Sequence, residues 1–207
     1  MATSLDAYCK LKKTAHVVPC DNNYNRYRGE MNPEIARTFF QILDGSFTFP
    51  VVWEPFAGSS ERSLAQDYAR AEKVELISYD LAPKDSRIKK RDSMMSGPAK
   101  TINGLLFHPP YFGTQPFSKD DRDLSLHQNI DSYRQSLRVV ISRASQKMEE
   151  DGFVCAVGRD YRVNGKRVRL DVIFLELVQE AGFTLMEVWS SIPDMVLLFQ
   201  KRTEGKI

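Results

Sequence analysis

PVVWEPFAGSSERSLAQDYARAEKVELISYD, residues 50–80, reads as strand, turn, helix and strand. PVVWEP (50–55) is a short apolar run bounded by prolines, the pattern of a strand buried on both faces. FAGSSERS follows as a tight turn, and SLAQDYARA (63–71) suits a helix. VELISYD (74–80) is a second strand, ending in an acid. Strands separated by a helix pair in parallel, so this stretch sets the sheet type.

The alternation continues outward. Upstream, Asn32 and Pro33 form a helix start, and Ile35, Phe39, Ile42 and Leu43 share one face before Gly45. Downstream, a turn at SGP (96–98) precedes INGLLF (102–107), another buried strand. GTQPFSKDDRDLSLHQN (113–129) is polar and without period, a long loop of the kind that is functional or disordered in compact domains. Asp131 is a cap candidate for a helix whose face is Tyr133, Leu137, Val140, Ile141, Ala144 and Met148, ended by Asp151-Gly152. FVCAVG (153–158) is a strand, and LDVIFLELVQEA (170–181) is a helix closed by Gly182. FTLMEVW (183–189) and MVLLFQKR (195–202) make a closing strand pair around Ser-Ile-Pro-Asp. The expectation is an α/β fold with a mostly parallel sheet and helices on both faces. Residues 1–31 are polar and mixed, suggesting a loop or arm; 32–202 form one domain and 203–207 a tail.

A chain of 207 residues suits one large domain with one continuous core. No apolar run reaches the ~20 residues of a membrane helix. MATSLDAYCKLKKTAH lacks the apolar segment of a signal peptide, so an intracellular location, cytoplasm or nucleoid, and no membrane partner are expected. Cys9, Cys20 and Cys155 are odd in number and irregularly spaced, which argues against a disulfide framework. Cys9, His16 and Cys20 include no CxxC pair, and no metal site is expected. A net charge of +2 does not announce nucleic acid, but KDSRIKKR (84–91) and RDYRVNGKRVR (159–169) are local basic clusters. Solvated surface is the ordinary reading of either; both at one pocket would make a footprint for phosphates.

In parallel sheets, ligands bind beyond the C-terminal strand ends, near the switch in strand order. Four candidates sit at such ends. Glu54-Pro55-Phe56-Ala57-Gly58-Ser59-Ser60 is a small turn that lets backbone approach a ligand. Asp80 suits the hydroxyls of a ribose, because a carboxylate accepts two hydrogen bonds. Asp92 follows in RDSMM, and His108-Pro109-Pro110-Tyr111 closes the series. Each alone has a plain structural reading, as a common turn, a helix cap or an exposed acid. Their order is the stronger signal: Gly58, an acid 22 residues on, another 12 beyond, and X-Pro-Pro-Tyr 16 beyond that.

This series resembles the DNA amino-methyltransferases, which use S-adenosylmethionine and methylate adenine N6 or cytosine N4. EPFAGSS resembles their Gly-rich motif, Asp80 their acid after the second strand, and HPPY their (Asp/Asn/Ser)-Pro-Pro-(Tyr/Phe/Trp) motif. YRGEMNPEIARTFF is similar to their methionine-side motif, and HPPYFG, SKDDRDLS and AGF match a group with His-Pro-Pro-Tyr. The resemblance covers roughly 24–202. It implies the Rossmann-like class I methyltransferase fold, with a seven-stranded sheet and a C-terminal antiparallel pair. It further implies S-adenosylmethionine as cofactor, bound by Asn32, Pro33, Glu54, Phe56, Ala57, Gly58, Ser59, Asp80 and Asp92. His108, Pro109, Pro110 and Tyr111 become the catalytic site. Hydrogen bonds from the amine to residue 108 and to the Pro109 carbonyl localise its lone pair, and two prolines fix that carbonyl. Tyr111 with Phe112 supplies a stacking face for a flipped base. Arg159, Arg162, Lys166 and Arg167 are expected on the substrate side.

The partner implied is DNA, single- or double-stranded, with adenine N6 favoured over cytosine N4. There is no room for a separate recognition domain, so a homodimer or a partner protein is expected to help recognition. Two departures stand out: Ser60 where the family often has a second glycine, and His108 in place of Asp, Asn or Ser. The alternatives are an RNA or protein amino-methyltransferase on this fold, or a non-catalytic subunit. Pro19-Cys20 resembles the Pro-Cys of cytosine-C5 methyltransferases, but it precedes the Gly turn and lies on no expected strand.

Overall fold

The computed structural model of the protein describes residues 4–19, 31–114 and 116–202. Cys20, the stretch 21–30 and the tail 203–207 lie outside the described residues. The chain runs α1 (Ser4–Lys13), β1 (His16–Val17), α2 (Pro33–Asp44), β2 (Val51–Glu54), α3 (Leu64–Ala71), β3 (Glu75–Asp80) and β4 (Lys89–Lys90). It continues with β5 (Ile102–Phe107), a 3-10 turn at Leu124–Leu126, α4 (Ile130–Lys147), β6 (Met148–Gly158), β7 (Asp160–Val163) and β8 (Lys166–Arg169). It ends with α5 (Leu170–Glu180), β9 (Phe183–Ser191) and β10 (Asp194–Lys201).

The main sheet has the order β1-β9-β10-β6-β5-β2-β3-β4. β2, β3, β4, β5 and β6 run parallel, and β10 is antiparallel to both its neighbours, β6 and β9. Alternate residues of each central strand feed opposite layers. Leu105, Phe107, Val154, Ala156, Leu197 and Phe199 pack on α4 and α5. Leu106, Cys155, Val157, Val196 and Leu198 pack on the other side with Ile35, Phe39, Phe40 and Leu43 of α2. Burial of both faces explains why these strands are apolar throughout rather than alternating. The order reverses between β2 and β5, so the cleft opens at their C-terminal ends.

Three expectations change, and the second basic stretch gains a structure. The loop or arm expected over 1–31 is helix over Ser4–Lys13 and a strand at His16–Val17, which makes the sheet eight-stranded. Helix α1 escapes a search for apolar periodicity because one polar cluster anchors it. Asp171, fully buried at the start of α5, accepts from Tyr8 Oη and from Lys12 Nζ at 3.1 Å and Arg169 Nη2 at 3.0 Å. Burial opposes ionisation of Asp171, but these hydrogen bonds hold its carboxyl well below the ordinary range. α4 is capped by Asn129, whose Oδ1 accepts from Ser132 N at 2.8 Å, and not by Asp131. β6 begins at Met148 rather than at Phe153. The basic stretch 159–169 is a β-hairpin, turned at Asn164 and Gly165, both with positive φ.

Candidate active site

A cleft of about 590 Å³ lies across the C-terminal ends of β2, β3, β5 and β6. Of the sequence candidates, Pro33, Glu54, Phe56, Ala57, Gly58, Ser59, Asp80, Asp92, His108, Pro109, Pro110, Tyr111 and Arg159 line it. Asn32, Phe112, Arg162, Lys166 and Arg167 do not.

The β2–β3 side is a backbone cradle. Gly58 has φ +78°, a conformation that side chains resist, and the space beside its Cα is open. Asp80 Oδ2 accepts from Gly58 N at 3.0 Å and its Oδ1 from Ala82 N at 2.8 Å. Both oxygens keep a lone pair for a ligand. Burial pushes the Asp80 carboxyl up, against the pull of these two amides. Glu54, buried at the end of β2, accepts from Ser78 Oγ at 2.6 Å, which in turn accepts from Gln66 Nε2 at 2.7 Å. Burial pushes the Glu54 carboxyl up to about 7. Asn32 is held elsewhere: its Oδ1 caps α2 through Glu34 N, and its Nδ2 donates to Pro19 O and Ser191 Oγ.

Two residues close this side without having been expected. Ser93, next to Asp92, donates to Pro55 O at 2.7 Å and ties the segment after β4 to the end of β2. Arg122 reaches over to Asp92 Oδ2 at 3.5 Å. The long loop that holds Arg122 is ordered by Asp123. Its carboxylate accepts from Phe117 N, Ser118 N, Ser125 N and Ser125 Oγ at 2.7–3.0 Å. The loop brings Phe117, 39 % exposed, to the cleft wall. DRDLS was the visible signal, since Asp and Ser in a loop hydrogen-bond their own backbone.

On the β5 side the tetrapeptide is locked by its carbonyls. Pro110 O accepts from Tyr133 Oη at 2.9 Å, Tyr111 O from Thr114 Oγ1 at 2.7 Å and Phe112 O from Tyr161 Oη at 2.9 Å. The Pro109 carbonyl accepts from no group among the described residues. Gly113 has φ +65°, and a Cβ there would fall 2.7 Å from Val163 Cγ1, so the β7–β8 hairpin packs against it. His108 lies edge-on to Tyr111, and neither ring nitrogen has a hydrogen-bond partner among the described residues. Burial lowers its pKa; Asp194 counteracts this and Arg159 adds to it.

The stacking face expected of Tyr111 and Phe112 is corrected. Tyr111 is 8 % exposed, stacks on Tyr161 at 5.2 Å and carries the Arg159 guanidinium over its ring at 5.5 Å. Phe112 turns to Tyr133 and leaves the cleft. Asp194, the first residue of β10, also lines the cleft. It was visible only as the last residue of Ser-Ile-Pro-Asp, where pairing of β10 with β6 carries it to the cleft end of the sheet.

The two basic clusters are partly internal. Arg87 is engaged by Asp85 and Asp67, Arg167 by Asp160, and Arg169 by Asp160 and Asp171. Arg91 and Arg159 are the cluster members at the cleft. No helix among the described residues is long and apolar enough to cross a membrane.

No protein-family model matches the chain, and no curated protein matches it in sequence. Solved structures do match. The chain is similar to 1,6-didemethyltoxoflavin-N1-methyltransferase of Burkholderia thailandensis, solved with 1,6-didemethyltoxoflavin and S-adenosylhomocysteine. Identity is 15 % and the TM-score 0.57, over 97 % of this chain and 87 % of that one. It is similar to the N-methyltransferase NodS of Bradyrhizobium japonicum in complex with S-adenosylhomocysteine, at 12 % identity and TM-score 0.54, over 95 % and 98 %. It also matches TrmN of Thermus thermophilus at 15 % and 0.53, over 84 % of this chain and 50 % of that one. At such identity the likeness speaks of the fold: the chain has the α/β architecture of class I methyltransferases, with the C-terminal antiparallel strand pair.

Proposed function

We propose that the protein is an S-adenosylmethionine-dependent methyltransferase that acts on the exocyclic amine of a nucleobase, adenine N6 or cytosine N4, in DNA. The observation that carries this reading is the Pro109 carbonyl, without a hydrogen bond among the described residues in a residue that lines the cleft, beside three neighbouring carbonyls that are all tied down. An amine with its lone pair in a ring is a poor nucleophile. The Pro109 carbonyl and the unprotonated nitrogen of His108 accept its two hydrogens, which draws the lone pair out of conjugation and aims it. Rigid prolines mean that this geometry exists before the base arrives.

The β2–β3 side fits the cofactor. Asp80 keeps acceptor capacity for two ribose hydroxyls, the open space at Gly58 leaves backbone accessible, and Pro33 and Asp92 flank the same cavity. When bound, the cofactor supplies an electrophilic methyl group. Structures on this fold that hold S-adenosylhomocysteine support the assignment. With Tyr111 covered, Phe117 offers an exposed aromatic face at the cleft wall for a base. The cleft sits within the domain, so a duplex base reaches it only by leaving the stack. Recognition by a homodimer or a partner protein belongs to this proposal, since the hairpin and the 113–130 loop are small.

The test is nucleoside mass spectrometry after incubating the purified protein and S-adenosylmethionine with unmethylated DNA, single- and double-stranded, and with bulk RNA. N6-methyladenine or N4-methylcytosine in DNA is expected. A mark found only in RNA moves the acceptor to RNA; no mark on any substrate, with S-adenosylhomocysteine binding intact, overturns the proposal.

A further inference from the structure

One corner of the cleft holds two opposite charges without an ion pair among the described residues. Asp194, 5 % exposed, receives a long hydrogen bond on Oδ1 from Tyr111 Oη at 3.4 Å. Its Oδ2 has no partner among the described residues. Arg159 lies over Tyr111 and has no carboxylate within ion-pair distance among the described residues. Two other buried carboxylates are ion-paired: Asp171 with Arg169 and Lys12, and Asp85 with Arg87. A buried carboxylate and a half-buried guanidinium that open toward a cavity, rather than toward partners of their own, point to a ligand that completes them. Both line the cleft with His108 and meet its neighbour Tyr111, Arg159 over the ring and Asp194 at Oη, which places them at the amine end of the site.

We propose that Arg159 and Asp194 determine which base edge is accepted: Arg159 donates to the ring nitrogen beside the target amine, and Asp194 puts negative potential on the amine side. The inference rests on the function proposed above and deepens it. The edge that fits is an amine next to an acceptor, which adenine presents as N6 and N1 and cytosine as N4 and N3. On its Watson–Crick edge guanine places N1–H beside its amine, and a guanidinium meets that donor with another donor. A base turned over presents its lone pair to the carboxylate and its amine to the guanidinium, so the pair also reads orientation. Negative potential on the amine side further favours the positive charge that the nitrogen acquires as its new bond to carbon forms.

The experiment pairs protein and substrate changes under single turnover, with the mark read by mass spectrometry. The substrates are oligonucleotides carrying the natural target base or its analogue with the adjacent ring nitrogen replaced by CH, 1-deazaadenine or 3-deazacytosine. The wild-type protein is expected to lose on the order of 10- to 100-fold on the analogue, the worth of a hydrogen bond to a charged group. Arg159→Met is expected to lose as much on the natural base and under about threefold more on the analogue, because the two changes remove one contact. Asp194→Asn is expected to slow the natural base about tenfold and leave S-adenosylhomocysteine affinity unchanged. Losses that multiply across Arg159→Met and the analogue overturn the inference. So does a wild-type protein that methylates the analogue as fast as the natural base, a result that needs no variant to fold. N2-methylguanine as the mark overturns it while methyl transfer itself stands, and no mark on any base overturns both proposals.

Discussion

The two sides of the cleft are built on opposite principles. On the β2–β3 side nearly every polar group is held by another part of the chain. Asp80 is held by two amides, Glu54 by Ser78, Asp92 by Met94 N, and Ser93 by the Pro55 carbonyl. On the other side four groups at the cavity have no hydrogen-bond or ion-pair partner among the described residues: the His108 ring nitrogens, the Pro109 carbonyl, Arg159 and one oxygen of Asp194. The first side is a mould that exists before its ligand. The second is a set of open valences on a rigid frame, completed by what enters. A protein with one invariant ligand and one that must be told apart from its neighbours is served by this division.

The largest expected effect separates the two sides. Asp80→Ala removes both hydroxyl acceptors and releases Gly58 and Ala82. It should weaken S-adenosylhomocysteine roughly 100-fold or more by calorimetry. His108→Ala should leave that affinity within about twofold and reduce single-turnover methylation on the order of 100-fold. If His108→Ala weakens cofactor binding as much as Asp80→Ala does, the cleft is one cooperative unit and the division is wrong.

How much of this was legible in the sequence follows the same line. The fold was: apolar strands, capped helices and the closing strand pair come from local patterns, and burial on both faces leaves a plain signature. The cradle was too, because a Gly turn and an acid at a strand end are contiguous in sequence. What escaped depends on distant partners. Helix α1 is fastened by a carboxylate 163 residues from Tyr8, which no window sees. The side-chain environment of Tyr111 is set by Tyr161, Arg159 and Asp194, which arrive from the hairpin and from β10. Residue types alone name an aromatic in HPPY; they do not say that its ring is already covered.

Acid and base titration should part the sides by a smaller margin. Glu54 has its pKa raised from 4.5 to about 7 by burial, so the folded state binds the proton more tightly than the unfolded one. Its contribution to stability is therefore complete below about 4.5 and is lost as pH rises through about 7. Glu54→Gln, neutral throughout, should hold its melting temperature better than the wild type between pH 6 and 8.5, a difference on the order of 1–3 kcal/mol. Parallel melting curves for the two proteins would sink this. On the other side the active form is neutral His108, and burial lowers its pKa below the ordinary 6.5. Methylation should fall only at pH below that value, and His108→Asn should lose this acid limb while keeping activity within about tenfold. A limb shared by both proteins would belong to another group.

The smallest effect concerns the β7–β8 hairpin beside the open side. Its cations differ in their partners. Arg167 is bound through Nε and Nη2 to Asp160, and Arg169 to Asp160 and Asp171. Lys166 is exposed and has no ion pair among the described residues, and Arg162 donates only to Gly165 O in its own turn. A cation already neutralised releases few counterions when a phosphate approaches, whereas a free one releases nearly its full share. Arg162→Ala with Lys166→Ala should weaken oligonucleotide binding a few-fold at moderate salt and flatten log K against log salt by about 1–2 units, whatever the sequence. Arg167→Ala should leave that slope within about 0.3 units, although it too removes a positive charge. Fluorescence anisotropy over a salt series reads both. Equal flattening per charge removed would mean that Asp160 yields Arg167 to the nucleic acid, and the hairpin would then belong to the open side of the cleft rather than to its frame.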